Sequence, residues 1–316
     1  LLTTSDNVTL TWDAANITVK GVAKASDLAW DGNTLYLTYN RGALDVATWV
    51  NEEGNNKWDG ESQNWTEDGY LYSDTEVATK VLFDDTAEGG EVELVGTHTP
   101  EHVEVNNSAN NDYSFIGEGS LDGDMMLVKN GEGSLLIDTE NSYNGGTEVN
   151  GGELAVGNDK ALGEGKVSLK DNGTLNLGSQ AVTNDIEAAG GVLRGADQYL
   201  GNLVVSEDLT IEGNATAKSI TMLKNAGIVL QSAALYSFRT TRAAVVVSTD
   251  AMHVRTERDG NFSGSLTLNE GGLIELNNGN SLVVTGTLTL GEGTTLMLNG
   301  NYAAGDMLVS ATESLT

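Results

Sequence analysis

Short runs of alternating apolar and polar residues, each introduced by a glycine, recur along the chain. Each run joins a residue that tolerates positive φ to a short strand. Such self-similarity is typical of a repeat protein, in which each unit buries its apolar face on its neighbours. The copies are Gly133-Ser-Leu-Leu-Ile, Gly152-Glu-Leu-Ala-Val, Gly173-Thr-Leu-Asn-Leu, Gly201-Asn-Leu-Val-Val, Gly264-Ser-Leu-Thr-Leu and Gly286-Thr-Leu-Thr-Leu.

The spacing of these copies predicts an all-β fold, a parallel β-helix without any helix beyond a turn or two. Gly264 and Gly286 are 22 residues apart, and three short strands with three turns fill one rung of that length. The earlier intervals are 19 residues from Gly133 to Gly152 and 21 from Gly152 to Gly173, which indicates loops of varying length. An antiparallel sandwich is the alternative, but it favours regular hairpin turns, and only scattered Asn-Gly and Asp-Gly pairs occur.

The alternation also predicts which residues form the core. The second and fourth residues after each glycine fall on one side of the strand and are expected inside. These inward positions include Leu135, Ile137, Leu154, Val156, Leu175 and Leu177.

Pattern and composition divide the chain into three regions. Residues 1–47 contain short alternating strands, residues 48–80 form a tryptophan-rich capping or linker region, and residues 81–316 carry the repeat. Within the repeat, residues 236–258 lack glycine and hold four of the six arginines. Because a rung tolerates long excursions only at its turns, this insertion is expected to project from the stack or to pair as an extra hairpin, with 244–248 as one strand.

The amino-acid composition limits the classes of partner that the chain is expected to bind. The 316 residues carry a formal net charge of −30, which opposes binding to nucleic acid or anionic lipid and favours solubility outside the cell as a monomer. Weak Ca²⁺ binding in Asp/Asn/Gly turns is an alternative use of this acidity, but no loop with the D-x-[DN]-x-[DN]-G spacing occurs. We therefore expect no metal or cofactor.

The chain has the composition of an exported fragment. It contains no cysteine, which suits passage through a cell envelope, and it begins with Leu1 rather than Met. No apolar stretch reaches the ~18 residues of a membrane span. We expect a piece of a longer protein whose signal and anchor lie elsewhere.

Three tryptophans supply one candidate ligand site. Exposed indoles stack on sugar rings, so this stretch would form a glycan platform; the alternative is a capping loop whose tryptophans cover the open end of the β stack. The residues are Trp49, Trp58 and Trp65.

Four arginines supply a second candidate site. In so acidic a chain they would attract an anionic ligand such as a sulfated or sialylated glycan. The alternative is that they pair with the protein's own carboxylates. The residues are Arg239, Arg242, Arg255 and Arg258.

An aspartic-type peptidase is the sharpest enzymatic alternative. Such enzymes bring two Asp-Thr/Ser-Gly/Ala loops together so that two carboxylates share one proton. The segments Leu82-Phe-Asp-Asp-Thr-Ala87 and Leu136-Ile-Asp-Thr-Glu140 both place an Asp-Thr pair after apolar residues, with Asp85 and Asp138 as the candidate aspartates. The second segment lacks the small residue after Thr139. No other catalytic motif is present, so an enzyme is less expected than a binding module.

A series of segments from Trp49 to about Gly201, about half of the chain, has a specific order and spacing. The segments are Trp58-x6-Trp65, Val81-Leu-Phe-Asp-Asp-Thr-Ala87, Tyr113-Ser-Phe-Ile-Gly-Glu-Gly-Ser-Leu-Asp-Gly123, Leu127-Val-Lys-Asn-Gly-Glu-Gly-Ser-Leu135, Asn141-Ser-Tyr-Asn-Gly-Gly-Thr-Glu-Val-Asn-Gly-Gly-Glu-Leu-Ala-Val156 and Ala161-Leu-Gly-Glu-Gly165. In these segments the chain resembles the autotransporter-associated β-strand repeat, a passenger repeat of bacterial exported and surface proteins. The resemblance implies a right-handed β-helix that is displayed or released, and it implies no activity of its own.

These observations predict a secreted or cell-surface structural and adhesive module that has no chemistry of its own and contacts an extracellular glycan or protein. A glycan- or mucin-binding domain is one alternative. A secreted hydrolase that acts on host glycoprotein through Asp85 and Asp138 is the other.

Overall fold

The computed structural model describes strands and turns, with no helix among the described residues. These are residues 27–31, 34–38, 44–67, 70–72, 78–196, 199–217, 219–222, 227–230, 236–240, 247–248, 253–256, 260–263, 266–268, 271–277, 279, 281–284, 287–302, 309–311 and 314–315. The predicted all-β fold class is confirmed.

The strands are short throughout. Those of the N-terminal part are β1 (Asp27–Asp31), β2 (Thr34–Thr38), β3 (Leu44–Trp49), β4 (Lys57–Trp58), β5 (Trp65–Glu67), β6 (Tyr70–Tyr72), β7 (Ala78–Phe83), β8 (Gly90–Leu94), β9 (Thr97–His98) and β10 (His102–Asn107). The middle part holds β11 (Tyr113–Ile116), β12 (Ser120–Leu121), β13 (Met126–Gly131), β14 (Ser134–Ile137), β15 (Thr147–Val156), β16 (Val167–Asn176), β17 (Ile186–Ala189), β18 (Val192–Ala196), β19 (Asn202–Val205), β20 (Leu209–Ala217), β21 (Ser219–Met222) and β22 (Gly227–Leu230). The C-terminal part holds β23 (Tyr236–Thr240), β24 (Val247–Ser248), β25 (His253–Thr256), β26 (Gly260–Ser263), β27 (Leu266–Leu268), β28 (Leu273–Asn277), β29 (Leu282–Val284), β30 (Thr287–Leu290), β31 (Thr295–Asn299), β32 (Val309–Ala311) and β33 (Ser314–Leu315).

Parallel pairing stacks these strands into a solenoid. The first face consists of β3, β7, β10, β13, the first halves of β15 and β16, and then β17, β19, β21 and β24. The second face consists of β4, β8, β11, β14, the second halves of β15 and β16, and then β18, the start of β20, β22, β25, β28 and β31.

The remaining side of the coil is less regular. It holds the pair β9 and β12, and further along the end of β20 with β23, β26, β29 and β32. Strands β27, β30 and β33 form a separate parallel set. Between these strands, residues 138–146, 157–166 and 177–185 are loops, and we call this stretch the loop side.

The glycine spacing matches the register of the stack. Leu135 pairs with Leu154, which is 19 residues further on, and Leu154 pairs with Leu175, another 21. Near the C-terminus, Leu266 pairs with Leu288 at the 22-residue interval. The predicted parallel β-helix, with rungs of about this length, is confirmed.

A glycine occupies the corner between the first and second faces because a side chain has no room there. A Cβ on Gly133 would lie 2.3 Å from the Ser108 backbone oxygen, and a Cβ on Gly152 would lie 2.2 Å from that of Gly133. On Gly173 it would lie 2.6 Å from the Val149 oxygen. The missing side chain lets successive rungs stack at the normal interstrand distance of about 4.8 Å.

The core is a set of rows that run along the solenoid axis. All six residues predicted to face inward are buried, at 5% exposure or less. Neighbouring rungs bury Val103 against Leu127 on the first face and Leu193 against Ile211 on the second. The alternating pattern therefore identified this part of the core correctly.

Two antiparallel hairpins break the parallel pattern near the N-terminus. β1 pairs with β2, and β5 pairs with both β3 and β6. The β5–β6 hairpin therefore lies on the open edge of β3, whose other edge pairs with β7. The predicted division at residues 47/48 and 80/81 stays a prediction.

The arginine-rich segment differs from its expectation. β23, β24 and β25 are parallel members of the stack, paired with β20, β21 and β22. Their alternation explains this, since Val254 lies in the same row as the buried Ile228 and Ile274. The expectation of a projecting segment or an extra hairpin is therefore wrong for these three strands; residues 244–246 lie outside the described residues.

Candidate functional site

The three candidate tryptophans lie inside the protein. Trp49 is 1% exposed, and Trp58 and Trp65 are fully buried. Trp65 packs edge-on against the other two, with ring centroids 5.0 Å away in both cases. Phe83 continues the cluster toward the next rung, 5.3 Å from Trp65.

Backbone pairing and a histidine hold this cluster in place. Trp49 pairs with Trp65 across the antiparallel β3–β5 ladder. His98 stacks on Trp58 at 4.6 Å, and its Nε2 lies 2.9 Å from the Trp58 carbonyl oxygen. None of these three indoles has a face free for a sugar ring, so the glycan-platform alternative finds no support here. The aromatic cluster instead packs the first rungs together.

The candidate arginines are separated along the backbone. Arg239 lies in β23, on the third side of the coil, and Arg255 lies in β25, on the second face. Arg242 and Arg258 lie outside the described residues. A shared anion site for the four stays a prediction.

The two candidate catalytic aspartates lie at different corners of the coil. Asp85 follows β7 at the corner between the first and second faces, whereas Asp138 follows β14 at the end of the second face. Asp85 Oδ1 accepts hydrogen bonds from the Ser108 backbone N–H at 2.9 Å and from Asn111 Nδ2 at 3.1 Å. These bonds, the Ser108 one foremost, lower the pKa of Asp85. A proton-sharing dyad needs adjacent carboxylates, so the peptidase alternative finds no support.

The loop side offers a different candidate, built on two buried asparagines. Asn141 Oδ1 accepts a hydrogen bond from the Leu121 N–H at 2.9 Å, and its Nδ2 donates to the Ala161 oxygen at 2.7 Å. Asn184 Nδ2 donates to the Gly165 oxygen at 2.8 Å. Each amide therefore ties one loop to the loop of a neighbouring rung, where the strand ladder is interrupted.

A polar cavity of about 480 Å³ opens beside these asparagines, and we call it the loop-side cavity. Its wall comes from three successive loops. Apart from the two asparagines and two glycines, the lining residues are Asp159, Lys160, Glu164, Lys166, Thr183 and Asp185.

Each of the two lysines of the cavity forms an exposed ion pair with a glutamate. Lys160 Nζ lies 3.0 Å from Glu140, and Lys166 Nζ lies 2.6 Å from Glu187. The hydrogen bond that Lys166 donates to the Glu187 carboxylate raises the pKa of Lys166. The cavity thus presents ammonium N–H donors without a net positive charge.

The cavity also holds groups with spare hydrogen-bonding capacity. Asp159 Oδ1 accepts a bond from the Ala181 N–H at 2.7 Å, and Asp185 Oδ1 accepts one from Asn202 Nδ2 at 2.8 Å. The Glu164 carboxylate and the Thr183 hydroxyl make no hydrogen bond or ion pair within the part of the chain that the structure describes. These groups are available to a ligand.

A smaller cavity of about 310 Å³ lies beside the first, lined by Glu118, Asp138 and Glu140 among others. Glu140 lines this smaller cavity and forms an ion pair with Lys160, which lines the loop-side cavity.

Among the described ranges, no three His, Cys, Asp or Glu side chains come together as a metal site. No described helix has the length and apolarity needed to cross a membrane.

Sequence reasoning missed the loop-side cavity. Its residues share no period, since the cavity forms only when three loops of different length stack. The one available signal was the segment Ala161-Leu-Gly-Glu-Gly165, which supplies Gly163, Glu164 and Gly165 to the lining.

Comparison with known proteins agrees with this architecture. Residues 127–156, which hold β14, β15 and all of β13 except Met126, match the model of the passenger-associated transport repeat. The chain is 30% identical over 230 residues to the adhesin BmaC autotransporter of Brucella suis biovar 1 (strain 1330), an alignment that covers 54% of this chain and 7% of that relative. The chain thus spans a small part of the relative's length. No solved structure matches it.

These findings fit an exported or cell-surface protein and a surface module of structural or adhesive type. The repeat match over residues 127–156, the partial similarity to an autotransporter adhesin and the parallel β-solenoid all support the resemblance of this chain to the autotransporter passenger repeats.

Proposed function

We propose that the chain is a structural and adhesive module of a bacterial exported protein, presented at the cell surface or released from it. The solenoid is the rigid scaffold, and the loop side is the surface that contacts an extracellular partner. The adhesin relative supports this role, although the chain matches only 7% of its length.

The observation that carries the proposal is the contrast between the loop side and the strand faces. On the first face, outward side chains engage each other from rung to rung: Glu104 pairs with Lys80 and accepts a bond from Asn130, which in turn accepts one from Asn150. The loop-side cavity, in contrast, leaves Glu164 and Thr183 without partners among the described residues. Exposed polar groups on loops that a rigid scaffold positions are typical of recognition surfaces.

The net charge of −30 favours some partners over others. It repels nucleic acid and anionic lipid at physiological salt, and it leaves neutral or basic extracellular surfaces accessible. The alternatives of an indole glycan platform and a peptidase have no supporting observation and form no part of the proposal.

Surface display tests the proposal. The chain is fused to a carrier on a bacterium that does not adhere, and attachment to cultured epithelial cells and to immobilised matrix proteins is measured. We expect attachment above that of the carrier alone, with saturable inhibition by the purified soluble chain. Attachment no better than the carrier alone on every surface would contradict an adhesive role.

A further inference from the structure

We propose that the loop-side cavity binds a neutral, hydroxyl-rich ligand, namely a short segment of an uncharged glycan. The proposal rests on the adhesive function above and names the chemistry of the ligand. It differs from an aromatic sugar platform, since no tryptophan takes part.

The lining excludes an apolar ligand. At about 480 Å³ the cavity falls within the size range of small-ligand sites. Such sites are usually lined by hydrophobic and aromatic side chains, but every lining residue here is polar, charged or glycine. A hydrophobic molecule would strip water from these groups without replacing their hydrogen bonds, which is unfavourable.

The charge pattern excludes a simple anion. Lys160 and Lys166 already pair with Glu140 and Glu187, and the cavity adds the carboxylates of Asp159, Glu164 and Asp185. An anion would therefore meet more negative than positive charge inside a chain of charge −30. A bare metal ion is no better served, because the described residues hold no cluster with ligand geometry.

A ligand rich in hydroxyl groups matches the hydrogen-bonding groups of the cavity that have no partner among the described residues. A hydroxyl donates one hydrogen bond and accepts two, so it needs acceptors and donors close together. Glu164 and Thr183 have free acceptor capacity, and the ammonium groups of Lys160 and Lys166 keep N–H donors beyond their ion pairs. Adjacent ring hydroxyls of a sugar would satisfy both kinds of group at once.

The buried asparagines fix the loop backbone around the cavity before the ligand arrives, while the side chains that would contact the ligand are exposed. Asn141 and Asn184 are 5% and 7% exposed, and their amides are engaged by neighbouring loops. A preorganised site loses little conformational freedom on binding. Because no aromatic ring lines the cavity, we expect single-site affinity in the millimolar range, with useful attachment arising from many copies per cell.

Saturation-transfer difference NMR on the intact chain tests this site. The probes are galactose, mannose and lactose as neutral sugars, glucuronic acid as an anionic sugar, and trilysine as a basic peptide. We expect saturable signals from at least one neutral sugar and none from glucuronic acid. Any signal from trilysine should be lost in high salt, because it reflects only the net charge of −30.

A variant and a matched control locate the binding. Glu164→Ala with Thr183→Ala removes two side chains that have no partner among the described residues, so the fold should survive, as checked by circular dichroism and urea unfolding. Loss of two hydrogen bonds should weaken binding about tenfold. Glu132→Ala removes an exposed carboxylate at the opposite corner, between the first and second faces, and should leave binding unchanged.

Three results would overturn the glycan site: no saturable neutral-sugar signal, equal binding by the double variant and the parent chain, or binding confined to glucuronic acid or trilysine. If any of these occurs while displayed cells still attach, the cavity assignment fails and the adhesive function stands. If sugar binds but displayed cells do not attach, the adhesive function fails instead.

Discussion

The ammonium group of Lys129 lies 3.4 Å from the carbonyl oxygen of Gly151 on the next rung, inside the corner between the first and second faces. It also donates to the Asn130 oxygen at 2.5 Å. The residue is fully buried, in a row that holds Val105 and Val149 on the neighbouring rungs. Lys129 therefore occupies an apolar core position and satisfies two corner carbonyls with its tip.

Burial gives this lysine a pH signature. Desolvation lowers the pKa of Lys129 to about 8, partly opposed by the charge of Asp112. Between pH 8 and about 10.5 the unfolded chain holds the proton and the folded chain releases it, so stability rises with pH in that window. Between pH 7 and pH 9.5, the free energy of unfolding of the parent chain, measured in urea, should rise by on the order of 2 kcal/mol more than that of Lys129→Met.

The comparison with Lys129→Met removes the background from the exposed lysines, which both chains share. Measurements stay below pH 10 because burial raises the pKa of Tyr113 to about 12, so ionisation of that tyrosine in the unfolded state lowers the stability of both chains above this pH. Parallel stability profiles for the two chains would contradict a buried, pKa-shifted Lys129.

Gly152 should be intolerant of any side chain. Its φ is +60°, and a Cβ would lie 2.2 Å from the Gly133 oxygen and 2.9 Å from Lys129 Nζ. We expect Gly152→Ala to lower the free energy of unfolding by about 2–4 kcal/mol, from backbone strain and overpacking together. Thermal and urea unfolding measure the loss.

Gly60 provides the matched control. Its φ is +72°, but a Cβ there meets nothing within 4 Å. Gly60→Ala should therefore cost only the strain, about 1 kcal/mol. If the two variants lose equal stability, the crowding at the Gly152 corner has no energetic role.

Pattern alone revealed the architecture because the stack repeats the same contacts. The interval from Gly133 to Gly152 equals the register that pairs Leu135 with Leu154, so a one-dimensional spacing translated directly into a three-dimensional pairing. The buried Lys129 escaped this reasoning, since a long side chain can occupy an apolar row only when its tip reaches carbonyls on another rung.

The sites were harder to predict for a related reason. Trp58 and Trp65 lie among polar residues in the chain, and only the hairpin pairing and the His98 stack reveal that they face inward. The loop-side cavity forms between loops of unequal length, so no sequence period predicts it. The regular spacing of the repeats made the solenoid predictable, whereas the loops that form the candidate site do not follow that spacing and could not be predicted from it.

Trp58→Ala should destabilise the N-terminal rungs. The indole is fully buried against Trp65, Phe83 and His98, and large-to-small aromatic changes in a core cost about 3–5 kcal/mol. Trp58→Phe should lose less, because it keeps the ring packing. Urea unfolding followed by tryptophan fluorescence measures both losses.

A purely functional role for Trp58 would give the opposite result. Stability of Trp58→Ala close to that of the parent chain, together with loss of binding to a neutral sugar, would restore the glycan-platform interpretation. Because the indole has no exposed face, we expect the variant to lose stability in the absence of any ligand.

Arg194 joins three rungs on the second face, yet its removal should have a small effect. Nη1 lies 2.7 Å from Glu153 Oε2 and Nε lies 2.7 Å from Glu212 Oε2, and the Glu212 hydrogen bond contributes most to the raised pKa of Arg194. All three side chains are about a third exposed, so water screens the pairs. Arg194→Gln should lower the free energy of unfolding by about 1 kcal/mol at low salt.

Salt separates this electrostatic contribution from packing. In 1 M NaCl the screening length falls to about 3 Å, so the difference between Arg194→Gln and the parent chain should shrink toward zero. A loss that persisted unchanged in high salt would mean that the Arg194 stem stabilises by packing against the second face. Arg194→Met, which keeps an apolar stem of similar reach and removes the charge, distinguishes the two: it should match Arg194→Gln at low salt if the ion pairs carry the effect, and match the parent chain if packing does.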